Sequence, residues 1–200
     1  MKSIRILIKI IIVITIGILY FRENYTINVS PSIPMGIYKK IKIEDDLKIG
    51  DIVLIDIPKD IREYMTKRGY INDDIHYLIK KIGATSKDKV EVIDNKLYIN
   101  NRIVREIPLK DSIGRQLIPA QRVQPKENEF FLLGDTNNSF DGRYYGTINK
   151  KFIKYKAKEV YLFENTRKIV RELKKELKEN EENTTIGSNY NINANSTSKY

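Results

Sequence analysis

The sequence predicts a mainly β domain behind a single membrane-spanning helix, and three observations carry that prediction. One apolar run, Ile10 to Phe21, follows a basic N-terminus and has no counterpart later in the chain. Between Tyr25 and Phe163 the apolar residues fall in short β-branched and aromatic runs bounded by turn formers, the pattern of strands. Helical spacing returns only beyond Thr166, where Ile169, Leu173 and Leu177 recur every four residues.

The first element, residues 1–24, reads as an uncleaved signal anchor. Lys2, Arg5 and Lys9 precede the apolar run, which orients the N-terminus toward the cytoplasm. The run is short against the roughly 20 residues that a span needs. Ile6 to Ile8 extend it when Lys9 snorkels its ammonium to the headgroups. Ile18-Leu-Tyr-Phe-Arg-Glu23 lacks the small-x-small pattern of a cleavage site. The expected place is therefore the cytoplasmic membrane, crossed once, with everything from Tyr25 onward on the extracytoplasmic side.

Residues 25–164 form the expected catalytic domain. Asp51 to Ile57, Lys89 to Ile93, Lys96 to Asn100 and Glu129 to Leu133 read as strands. Asp94-Asn95 between two of them reads as a tight hairpin turn. The more polar stretch from Pro58 to Asp74 predicts a short helix or an excursion from the sheet. Residues 165–200 read as a charged helix over 166–178 followed by a disordered tail rich in Asn, Ser and Thr.

Composition narrows the chemistry. The 200 residues contain no cysteine, which excludes disulfides, thiol catalysis and cysteine-ligated metals. A single histidine, His76, excludes a multi-histidine metal site. The net charge of +10 suits an anionic membrane surface or a nucleic acid. Lys and Arg are interleaved with acids along most of the chain, so nucleic-acid binding is not expected.

Three segments hold residues suited to catalysis. In Asn28-Val-Ser-Pro-Ser-Ile-Pro-Met-Gly-Ile-Tyr38 two prolines fix φ on either side of Ser32. That restriction suits either a nucleophile or an ordinary Pro/Gly loop. In His76-Tyr-Leu-Ile-Lys-Lys-Ile-Gly-Ala84 alternation puts Lys80 on one face with Leu78 and Ile82. Burial there would depress the lysine pKa toward that of a general base. His76 shares that parity and stays open as a rival base. Gly134-Asp-Thr-Asn-Asn-Ser-Phe-Asp-Gly-Arg-Tyr-Tyr-Gly146 follows an apolar strand and is dense in polar and turn residues. In it Asp141 and Arg143 can pair, and Ser139 can hold another side chain.

In order, these segments resemble the bacterial type I signal peptidase family (serine peptidase family S26), and look most like the conjugative-transfer peptidases of the TraF type. Ser32-Ile-Pro-Met-Gly-Ile-Tyr38 is similar to the Ser-x-Pro-x-Gly-x-Tyr core of that subgroup. Gly50-Asp-Ile-Val-Leu54 is similar to the family's second segment. Arg68-Gly-Tyr70, Leu78-Ile-Lys-Lys, Ala84 and Asp88 resemble the lysine region, and Asp111-Ser-Ile-Gly-Arg115 a further subgroup segment. Gly134-Asp135 through Gly146 resembles the final box. Two positions depart from the family: Ser86-Lys87 replaces Pro-Gly before Asp88, which strains Lys87 if φ is positive there, and Gly142 stands where a serine is common.

The resemblance implies a signal-peptidase-like antiparallel sheet domain and a serine-type endopeptidase that needs no cofactor. It implies Ser32 as nucleophile and Lys80 as general base. Ser30 and the Ser32 N–H would serve the oxyanion, Ser139 would orient the lysine, and Asp141 and Arg143 would brace the loop. Its partners would be the lipid bilayer and a precursor protein bound as an extended strand, with small residues at the first and third positions before the cut. The substrate would be a pilin-like precursor of a conjugative system. The rival readings are a general type I signal peptidase, a catalytically inactive membrane-tethered binding protein, and a soluble self-cleaving repressor, against which the anchor stands.

Overall fold

The computed structural model describes residues 2–166 and 168–169. The chain begins with helix α1 (Lys2–Asn24) and continues through β1 (Tyr25–Asn28), β2 (Gly36–Ile41) and β3 (Ile52–Asp56). Helix α2 (Lys59–Lys67) leads to β4 (Tyr77–Ala84), β5 (Val90–Ile93), β6 (Lys96–Ile99) and β7 (Arg102–Glu106). Then come β8 (Glu129–Leu133), the short helix α3 (Gly142–Tyr145), β9 (Thr147–Asn149), a 3₁₀ turn (Lys150–Phe152) and β10 (Ile153–Leu162). Residues 163–166 and 168–169 are helical. Most of the expected charged helix and all of the expected tail from 170 onward lie outside the described residues.

Helix α1 holds 23 residues, so at 1.5 Å per residue it is about 34 Å long, enough for a hydrocarbon core of about 30 Å. Its most apolar window has a mean hydropathy of 2.5, and none of its residues is buried against the protein. At its end Phe21 stacks on Tyr25 at 5.3 Å, and Lys40 Nζ donates to the Arg22 carbonyl at 2.8 Å. That ammonium satisfies an orphan carbonyl of the last turn and ties the helix exit to β2.

Among the described residues ten strands form a mainly antiparallel fold. Seven lie in one sheet in the order β1-β2-β10-β3-β4-β8-β9, and β5-β6-β7 form a second. Strand β8 shows why an uninterrupted apolar run is needed. Phe130 and Leu132 enter a core with Val53, Ile55 and Leu78, while Phe131 and Leu133 enter another with Val90 and Leu97. Both faces of the strand are covered, so the alternation of a half-exposed strand is lost.

Strand β4 reaches both cores by a register shift at Gly83, between Ile82 and Ala84. A Cβ there would lie 2.7 Å from Leu133 Cδ1, so a larger residue at the bulge would push the Leu133 side chain aside. Asp94 and Asn95, with φ of 50° and 57°, make the tight turn between β5 and β6. Lys87 is not among the residues at positive φ. Its turn is closed instead by Asp88 Oδ2, which accepts from the Thr85 N–H and hydroxyl, each at 2.9 Å. The strain expected of Lys87 is therefore absent.

Candidate active site

The inner strand β4, paired with β3 and β8, carries Lys80 opposite Val53. The side chain is 4% exposed, and Nζ donates to Ser139 Oγ at 2.7 Å. Burial drives the lysine pKa from 10.5 down to about 8; Asp141 opposes the shift and Arg143 adds to it. An amine with that pKa is neutral in roughly a tenth of molecules at pH 7, against fewer than about one in a thousand for an ordinary lysine. Its neighbour Lys81 faces the other way and forms a half-exposed ion pair with Asp135 at 2.7 Å. Strand alternation thus makes two adjacent lysines chemically unlike.

Ser32 sits in the connection between β1 and β2. Asn28, buried at the end of β1, organises that connection: its Nδ2 donates to the carbonyls of Ser30, Ile33 and Pro34, and its Oδ1 accepts from the Ser30 N–H. Tyr38 Oη donates to the Pro34 carbonyl at 2.6 Å, and burial pushes that phenol up to about 12. Gly36 opens β2 and is not at positive φ, so the turn rests on Asn28 and the prolines. Ser32 is 8% exposed, and its Oγ shares a hydrogen bond with Ser30 Oγ at 2.9 Å. The Ser32 N–H also points at Ser30 Oγ, at 3.4 Å. The two hydroxyls and this amide form one polar cluster at an otherwise apolar turn.

The loop after β8 joins the two. Asp141 and Arg143 are both fully buried and pair twice, Nε to Oδ1 at 2.8 Å and Nη2 to Oδ2 at 3.0 Å. Asp141 Oδ2 also accepts from the Gly134 N–H, and Arg143 Nη2 donates to the Ser139 carbonyl at 2.8 Å. The pair therefore closes the loop at both ends of Gly134 to Ser139. At Gly134 a Cβ would lie 2.2 Å from Ser139 Oγ and 2.8 Å from the Ser32 carbonyl, so only glycine lets these chains meet. The Asp135 N–H donates to the Ser32 carbonyl, locking the serine turn to this loop. Gly142 has its own reason: a Cβ would lie 2.7 Å from the Leu132 carbonyl, which leaves no room for serine.

Ser30, Ser32, Lys80 and Ser139 line one cavity of about 540 Å³, whose walls include residues 26–28 of the edge strand β1. His76 is exposed, precedes β4 and does not line the cavity. Its strand parity with Lys80 has no consequence, because the strand begins at Tyr77. Of the residues weighed in the sequence, Ser30, Ser32, Lys80 and Ser139 thus share one cavity, Asp141 and Arg143 hold the loop that carries Ser139, and His76 stands apart. Sequence reading missed Asn28 as the organiser of the serine turn and Arg105, whose guanidinium contacts the loop after β8. An Asx residue just before Ser-Pro-Ser was a signal for the first; nothing local marks the second.

A hydroxyl-bearing turn that shares a cavity with a buried amine of lowered pKa is an arrangement suited to acyl transfer by a serine. The family described as "Signal peptidase, peptidase S26" matches residues 1–162. The chain belongs to this family, one of serine-type peptidases acting on precursor proteins, and its helix α1 is long and apolar enough to cross a membrane. Among its relatives is the conjugal transfer protein TraF of Agrobacterium tumefaciens, 26% identical over 149 residues that cover 70% of this chain and 84% of the relative. Signal peptidase I of Bacillus licheniformis is 30% identical over 124 residues, 58% of this chain and 59% of that protein. A solved signal peptidase I from Enterococcus faecalis aligns at 20% identity and a TM-score of 0.35, covering 56% of this chain and 97% of that structure.

Proposed function

We propose that the chain is a Ser/Lys-dyad endopeptidase that removes leader or signal peptides from exported precursors. Residues 1–24 anchor it in the cytoplasmic membrane, and residues 25–164 form the catalytic domain on the extracytoplasmic side. The observation that carries this reading is Lys80, buried against Ser139 with its pKa lowered to about 8, in the same cavity as Ser32. Substrate adds as an extended strand to the free edge of β1 beside Ser30. Ser32 Oγ attacks the scissile carbonyl while neutral Lys80 takes its proton, and Ser139 holds the amine in line. The Ser30 hydroxyl and the Ser32 N–H then turn from each other to the oxyanion. Lys80 returns the proton to the leaving amine, and water releases the acyl group from Ser32.

The similarity to TraF proteins supports a conjugative transfer system with a pilin-like precursor as its setting. Signal peptidase I among the relatives favours the second reading, a general processing enzyme with many substrates. The test is the set of mature N-termini in cells carrying the active chain or Ser32→Ala. Loss of one or a few processing events in the variant supports the conjugative reading, and loss of many supports the general one. Unchanged processing in Ser32→Ala, with the variant folded and inserted, refutes both.

A further inference from the structure

The second sheet reaches into the site through one residue. On β7 Arg105 is the only residue that is not exposed. The pairing of β6 with β7 shifts between Leu97 opposite Arg105 and Tyr98 opposite Ile103, which leaves Val104 as an extra residue. A bulge of this kind re-aims the side chain beside it. Here the re-aimed guanidinium donates to three consecutive carbonyls of the loop after β8. Nη1 reaches Gly134 at 2.7 Å and Thr136 at 3.1 Å, and Nη2 reaches Asp135 at 3.1 Å. The next residue completes the grip, since the Glu106 carbonyl accepts from Arg143 Nη1 at 3.4 Å.

We infer that Arg105 is a positioning residue, which fixes the Gly134–Ser139 loop so that Ser32 and the Lys80 amine are held in register. The gripped carbonyls belong to the segment whose N–H at Asp135 bonds the Ser32 carbonyl and whose Ser139 hydroxyl bonds Lys80. One cation satisfying three carbonyls fixes their mutual orientation, and a loop without regular secondary structure has few other means of doing so. Asp141 and Arg143 hold this loop from within, whereas Arg105 holds it from the second sheet. That sheet therefore has a task in the site even though none of its side chains lines the cavity.

This inference rests on the peptidase reading for its consequences but not for its geometry, so the experiment has two arms. The full-length protein in detergent micelles is compared as wild type, Arg105→Met, Arg105→Lys and Arg102→Met, the last an exposed arginine on the same strand. Hydrogen exchange of residues 134–139 needs no turnover. It should speed up at least about tenfold in Arg105→Met, less in Arg105→Lys, and not at all in Arg102→Met. Cleavage is followed on a quenched-fluorescence peptide with alanine at the first and third positions before the cut. For Arg105→Met, kcat should fall roughly tenfold to a hundredfold with KM within about threefold. The rise of activity with pH should also move upward as water reaches Lys80, whose facing charges are Asp141 and Arg143. Arg105→Lys, able to reach a single carbonyl, should recover part of each effect, and it serves as the reporter if Arg105→Met does not fold. Wild-type exchange in the loop overturns the clamp. So does a lower melting temperature with unchanged kcat and pH profile, which marks a merely structural role. A wild type that exchanges as expected yet cleaves no precursor overturns the peptidase reading alone.

Discussion

Two aspartates paired with arginine, Asp141 and Asp111, differ in where their partners sit. Asp141 and Arg143 pair at 0% exposure directly behind Ser139. Asp111 also lines the cavity, on a rim where its arginine partners reach solvent, and accepts from Tyr70 Oη at 2.7 Å, Arg115 Nε at 2.7 Å and Arg68 Nη1 at 3.3 Å. The inner pair has no recourse to water, so each partner exists to neutralise the other. At the rim, burial raises the Asp111 pKa but the hydrogen bonds from Tyr70, Arg115 and Ile113 outweigh it, holding the carboxyl well below the usual carboxylate range. It joins residues 68–70 to 111–115, segments far apart in sequence, into one wall. The lesson is that the same chemistry serves rigidity at the centre and closure at the edge.

Breaking the inner pair should have the larger effect. Arg143→Met leaves the Asp141 charge buried without its partner and should cost about 3–5 kcal/mol, read by denaturant unfolding. A loss under about 1 kcal/mol would show that water reaches Asp141 and would erase the contrast with the rim. Lys80→Met sharpens the same point in the opposite sense. A lysine whose folded pKa lies near 8, below its ordinary 10.5, holds fewer protons folded than unfolded between those values. Its burial penalty is therefore fully present below pH 8 and fades as the pH rises toward 10.5. Lys80→Met should be more stable than wild type at pH 7 by about 3 kcal/mol, with the advantage gone above about pH 10.5. Equal stability of the two proteins at pH 7 would contradict the burial argument.

Asp111→Asn should be the mildest, lowering the melting temperature by only a few degrees. Because the Asp111 pKa is depressed, its contribution is present above the unfolded value of about 3.9 and is lost as pH falls through the folded one. Wild type and variant should therefore converge in strong acid. A variant as damaged as Arg143→Met would place the rim carboxylate on a level with the inner one.

Much of this was legible in the sequence, for identifiable reasons. Lys80 could be placed because period-2 alternation set it with Leu78 and Ile82, and both those residues are in the core. The Asp94-Asn95 turn and the strands around it follow local chemistry and needed no tertiary knowledge. Arg105 was illegible because its direction is set by an unpaired Val104, which only strand pairing reveals. Asn28 stands first in its loop, yet its bonds reach as far as Pro34, a closure that a linear sequence does not display. His76 shows the converse: it shares parity with Lys80 but precedes the start of the strand at Tyr77, and its carbonyl accepts from Arg62.

The most direct test of the Ser32/Lys80 assignment is the pH dependence of kcat/KM for the purified full-length protein, with Lys80→Met and His76→Ala measured beside it. A lysine base predicts activity rising with pH through about 8, no measurable cleavage by folded Lys80→Met, and an unaltered profile for His76→Ala. Activity that rises instead near 6.5, the ordinary histidine value, and that vanishes in His76→Ala but survives in Lys80→Met, would contradict the assignment.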